Sequence, residues 1–137
     1  MTMSSLRAPL LIAVAITAIS LGGCAGGPQL QVKPLSATHY APTSLVTTLT
    51  APPQRPYLPI AEIHGSAPAG TAPAQVIAAI TKRAAELGAD AIILHNESRS
   101  TPAQMQFNPS GGLYQNIPGQ VTPIYSAEAI HWLPAAK

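Results

Sequence analysis

The chain has 137 residues, 47% of them apolar, with 15 Pro, 10 Gly, 7 Lys+Arg and 5 Asp+Glu for a formal net charge of +2. That length holds one domain, and so few charges among so many apolar positions exclude a charged, disordered chain. The cations are scattered, which excludes the clustered stripe that nucleic-acid phosphates require, and the single cysteine excludes a disulfide framework or multi-cysteine zinc site.

Met1–Arg7 carries one positive charge, and Leu10–Leu21 (LLIAVAITAISL) carries none. A membrane-spanning helix needs about 20 apolar residues, so this shorter run fits a signal-peptide core. It ends on Leu21-Gly22-Gly23-Cys24, which holds the only cysteine. This resembles the bacterial lipobox: a large aliphatic residue, two small ones that let a protease grip extended backbone, then a thiol. The resemblance implies cleavage between Gly23 and Cys24, a diacylglycerol on the thiol and an acyl chain on the freed amine. Each buried methylene contributes about 0.8 kcal/mol, so two or three chains hold a protein stably at a bilayer. Ala25, rather than Asp, follows the cysteine, which by the same resemblance implies the outer membrane.

Residues 1–23 therefore read as a lipoprotein signal peptide and 24–42 as a lipidated cysteine with a flexible tether. Ala25–Pro42 has three Pro, two Gly and no apolar period, a composition that buries too little to order itself. Fully extended, it reaches about 60 Å. His39 and Tyr40, within it, are expected to be solvated.

Residues 43–134 read as the domain. Ser44–Thr50 (SLVTTLT) is rich in β-branched residues between prolines, and Tyr57–His64 (YLPIAEIH) is a second strand with proline near its start. Gly65–Thr71 is a loop. Pro73 suits a helix's first turn, with Thr71 as candidate cap. Val76, Ile77, Ile80, Ala84 and Leu87 share one helical face, and Gly88 is a stop signal. Asp90–Ser98 and Val121–Leu133, the latter interrupted at Pro123, are further strands. Strand, helix and strand with short connections imply a parallel unit with right-handed crossover. The expected fold is α+β or α/β: a small β-β-α-β-β layer with one helix on a three- to four-stranded mixed sheet.

Pro53–Tyr57 (PQRPY), Ile60–Ile63 (IAEI), Ala84–Leu94 (AAELGADAIIL) and Ser126–Trp132 (SAEAIHW) occur in that order. Together they resemble the small envelope α/β domain of the Rcs-pathway sensor lipoprotein and a family of short proteins described as heavy-metal binders. The resemblance covers Ser44–Leu133 and is strongest over the helix and the strand after it, where residues serve the core. It implies a fold more than a function. The Rcs sensor domain relies on disulfides, whereas this domain has no cysteine, so redox signalling does not carry over.

His64, His95 and His131 fall on three predicted strands, with Glu62, Glu97 and Glu128 nearby, and imidazoles on adjacent strands bind Zn²⁺ or Cu²⁺. His64 and His95 lie towards the ends of strands expected to be parallel and make the candidate metal pair. His131 is expected about 15 Å or more from His95, since the last strand returns antiparallel. Ser66, Ser98 and Asp90 supply hydrolytic residue types without an ordered motif, and no loop has the composition of a phosphate cradle. The reading is therefore non-enzymatic.

Ser100–Gln120 is long and uncharged, yet includes Met105, Phe107, Leu113, Tyr114 and Ile117. Exposed together, these make an apolar recognition surface. AQMQF and LYQNI also flank a turn-forming Asn108–Gly112, the pattern of a hairpin extending the sheet. The expectation is a lipid-anchored envelope domain presenting this segment to another envelope protein. Metal or small-ligand binding through His64 and His95 is the alternative. No nucleic acid and no cofactor beyond the lipid on Cys24 are expected, and the oligomeric state stays open.

Overall fold

The computed structural model describes residues 26–134. The apolar run 10–21 and the cleavage and lipidation positions, Gly23 and Cys24, lie outside the described residues. In chain order the elements are β1 (Gln29–Pro34), β2 (Thr47–Leu49), β3 (Tyr57–Ser66), α1 (Pro73–Glu86), β4 (Ala91–Asn96), β5 (Arg99–Thr101), β6 (Gln104–Asn108), β7 (Leu113–Ile117), β8 (Gln120–Thr122) and β9 (Ile124–Trp132). One helix packs on a five-stranded mixed sheet of order β1-β3-β9-β4-β2, an α+β domain.

The fifth strand corrects the expectation of a flexible tether over 24–42. In β1, Leu30 and Val32 alternate with Gln29, Gln31 and Lys33, and the strand pairs antiparallel with β3 through Leu30↔Gly65 and Val32↔Ile63. Two apolar residues are too weak a period to announce a strand, but the edge of β3 supplies the hydrogen bonds and α1 the apolar cover. The chain leaving β1 stays attached. Pro59 cannot donate a ladder bond, the register slips between Pro59 and Ala61, and the carbonyl of Ile60 accepts from the Leu35 and Ser36 amides at 3.0 and 3.3 Å.

Residues 40–43 then dock on the end of α1. The Thr43 amide donates to the Ala85 carbonyl at 2.9 Å, and its hydroxyl donates to the Ala89 carbonyl at 2.6 Å. Tyr40 is half-buried here, while His39 stays exposed as expected. The helix ends in a Schellman turn: Gly88 (φ 81°) donates to Ala85 and Ala89 donates to Ala84. A Cβ at Gly88 would lie 2.5 Å from Tyr40 Cβ, so glycine serves both the turn and the docked segment. At the other end Pro73 occupies the first turn, but the cap position is Ala72 and no side chain caps it, so Thr71 does not fill the expected role.

β3 and β4 are parallel to each other, as the strand–helix–strand pattern implies, but not adjacent. β9 lies between them, antiparallel to both, and the parallel hydrogen-bonded pair is β2 with β4. The helix-facing side of β9 is Tyr125, Ala127 and Ala129, and the two alanines together with Gly65 let Val76, Ile80 and Ala84 approach the sheet closely. Ile63, Val76, Ile80, Ile92, Ala84 and Ala129 are fully buried there. On the opposite face Ala91, Ile93 and Ile130 form a smaller cluster against Leu49, Tyr57 and Trp132, and the Arg55 guanidinium sits 4.9 Å above the Trp132 ring.

Candidate functional site

The chain between β4 and β9 forms an arm. β5 pairs with β8 and β6 with β7, each as a separate two-stranded ribbon, so Ser100–Gln120 is a hairpin that leaves the sheet rather than widening it. Pro102, Pro118 and Pro123 sit at the interruptions between ribbon segments, where a missing amide ends each ladder. The root is tied by Ser98, whose hydroxyl accepts from the Ile124 amide at 3.1 Å, and by the Glu97 amide, which donates to the Ile124 carbonyl at 2.8 Å. At the tip, the Asn108 carboxamide accepts from the Ser110 amide at 3.0 Å and sets the turn.

All five apolar residues expected to be exposed are so: Met105 68%, Phe107 50%, Leu113 71%, Tyr114 69% and Ile117 42%. They do not form one patch. The register Met105↔Asn116 and Phe107↔Tyr114 puts Met105, Phe107 and Tyr114 on one face of the ribbon. Leu113, opposite Asn108, and Ile117, opposite Gln104, share the other face with Gln106 and Gln115. Phe107 and Tyr114 pack ring against ring at 5.3 Å and 58°, a cross-strand aromatic pair that stiffens the tip.

The helix-free face of the sheet carries the histidine candidates. His64 and His95 both pair with Ser126, one from each side, so they lie two strand spacings apart, about 9.6 Å. That corrects the expectation that they are neighbours: β9 inserts between their strands, where Ala127 and Ala129 fit under the helix. His64 Nε2 lies 3.2 Å from Glu62 Oε1, and Lys33 Nζ lies 3.9 Å from Glu62 Oε2. The Lys33 cation offsets the repulsion between Glu62 and Glu128, its direct cross-strand partner. No group of three or more His, Cys, Asp or Glu side chains is placed to hold a metal among the described residues.

Ser126, which the sequence did not single out, is 8% exposed between the two imidazoles. Its hydroxyl donates to Glu97 Oε1 at 2.7 Å. The serine proton is therefore directed to a carboxylate at the arm's root rather than to an imidazole, which is not the nucleophile–base pairing of acyl transfer. A shallow hollow beside it is lined by Leu35, Glu62, His95, Ser126 and Glu128.

His131 has a different setting. Its ring stacks on Tyr40 at 4.2 Å and 30°. Its Nδ1 lies 2.7 Å from Asp90 Oδ2, and that oxygen accepts from the Trp132 amide at 2.9 Å. The imidazole nitrogen lies off the hydrogen-bonding direction, so proximity rather than a directed bond holds the pair. This trio joins the docked segment 40–43 to the start of β4 and the end of β9. The Tyr40 contact left no local signal, because residues so far apart in sequence meet only through folding. A hollow of about 140 Å³ lies between this segment, β1 and the end of α1, lined mainly by Val32, Tyr40, Ile60 and Leu87.

No helix among the described residues is long and apolar enough to cross a membrane. Comparison of the chain with models of known protein families, with curated proteins and with solved structures finds no match.

Proposed function

We propose that this chain is a non-enzymatic, lipid-anchored component of the bacterial cell envelope, held by an acylated Cys24 at the outer membrane. It engages a neighbour in that envelope through the β5–β8 arm. The observation that carries the contact role is the arm itself: a hairpin outside the core, with six large apolar side chains exposed and no charge from Ser100 to Ala127. A ribbon like this adds nothing to the domain's own core, and the concentration of exposed apolar side chains on both of its faces supports a role in contact. The anchor reading rests on the short apolar run ending at the only cysteine.

Two measurements test the proposal. Intact mass of the protein extracted from the envelope is expected to show a chain beginning at Cys24 and carrying acyl chains; an unmodified or differently placed N-terminus refutes the anchor. A photo-crosslinking residue at Tyr114 is expected to label an envelope neighbour in the cell, and the same residue at Gln54, in the connection between β2 and β3, is not. Equal labelling from both positions refutes the arm as contact element.

A further inference from the structure

The strand that follows Cys24 and the arm belong to the same end of the sheet. Gln29, which opens β1, pairs with Ser66 at the end of β3, and Ser66 pairs with Ile124 at the start of β9. Tyr125 pairs with Asn96 at the end of β4, where the outgoing chain passes into the arm. The arm's two roots and the first residue of β1 thus lie in one row across the sheet.

Cys24 precedes Gln29 by five residues, a span of at most about 17 Å when fully extended. From Asn96 to the tip residue Asn108 the chain advances twelve residues, at most about 40 Å when extended at 3.3 Å each. The arm's roots on β9 and β4 lie two and three strand spacings from β1, about 10 and 14 Å to the side, so an anchor at Cys24 holds the root within about 31 Å, less than the arm's full length. Had the tether run to Pro42, its reach would have exceeded the arm and this constraint would vanish.

The arm's chemistry suits that surface. No residue from Ser100 to Ala127 is charged, so entering the headgroup region strips water from no ion. Six of the nine exposed large apolar side chains among the described residues sit on the arm. The five on β6 and β7 project from both faces of the tip ribbon, whereas a ribbon docking flat on a protein would gather them on one. Arg99, exposed at the root, is the nearest cation on the arm's own strands and suits lipid phosphates. The free backbone edges of β6 and β7 still need water, which limits the tip to the interfacial layer.

Resting on the anchor reading above, we infer that the arm is a second membrane contact, with its tip seated in the interface of the same bilayer that holds Cys24. The neighbour it engages is lipid. Two attachments at one end of the sheet then hold the domain in a set orientation, with the connection between β2 and β3 facing away.

The test uses the full lipidated protein, reconstituted into vesicles of phosphatidylethanolamine and phosphatidylglycerol. Lipidation consumes the single native cysteine, so a polarity-sensitive fluorophore on Leu113→Cys reports the tip alone. Gln54→Cys reports the far end of the sheet. Emission from position 113 is expected to shift to the blue and to be quenched by brominated acyl chains several-fold more strongly than emission from position 54. Equal, weak quenching at both positions, with the lipid on Cys24 verified by mass, overturns the inference and leaves the anchor standing. Absence of lipid by mass overturns both. Protection at position 113 that arises only when envelope proteins are added also overturns it, in favour of a protein partner.

Discussion

Replacing Gly65 by alanine probes the closest approach of helix to sheet. A Cβ built there would lie 2.8 Å from Ile80 Cδ1, 2.9 Å from Ile80 Cγ1 and 2.9 Å from Val76 Cγ1. Both neighbours are fully buried, so neither has solvent to move into. Overpacking of this kind costs about 1–3 kcal/mol. Alanine also restricts the unfolded chain, which offsets about 0.4–1 kcal/mol of that loss. A net destabilisation of about 1–2 kcal/mol is expected, with Tm falling by roughly 4–8 °C for each kcal/mol in a domain of this size. Thermal and urea unfolding followed by circular dichroism measure it. Ile80→Val removes the Cδ1 methyl and by itself costs about 0.5–1.5 kcal/mol. In the double variant that methyl is no longer in the way, although the contacts with the Cγ1 position and with Val76 remain, so the combined loss should fall short of the sum of the two single losses by up to about 1 kcal/mol. Strict additivity, or a Gly65→Ala variant as stable as the parent, would refute the packing argument.

Three further outcomes are expected. Tyr40→Ala removes the stack on His131 and the cover over Gly88, and should cost about 1–2 kcal/mol; hydrogen exchange at the Thr43 amide, bonded to Ala85, should accelerate, whereas a free tether would show no change in either. Excising Ala103–Pro118 and closing the gap with a short turn should leave stability within the small range of surface changes, about 0.5 kcal/mol, because this segment is almost wholly exposed; a large loss by scanning calorimetry would mean that the arm belongs to the core. Calorimetric titration with Zn²⁺ or Cu²⁺ should give the same isotherm for the parent and for His64→Ala/His95→Ala, since Ser126 separates the two imidazoles; a stoichiometric heat lost in the double variant would restore the metal pair.

Much of this domain was legible before folding. The helix was announced by the spacing of Val76, Ile80 and Ala84, its end by Gly88, and the break in the last strand by Pro123. The arm was foreshadowed by two alternating segments around Asn108–Gly112. All of these depend on residues within a turn or two of each other, where backbone sterics and side-chain period already decide the conformation. What stayed hidden depends on which distant segments meet. β1 exists because β3 had a free edge and α1 had room for Leu30 and Val32; alone, its sequence looks like a linker. β9 comes last in the chain yet occupies the middle of the sheet, because its alanines fit under the helix, and that placement separates His64 from His95. The division of the arm's apolar residues between two faces follows from the pairing Asn108↔Leu113, a register that composition cannot report. Burial and hydrogen bonding between remote segments settle these choices, and their free energy belongs to the pair of segments, not to either one.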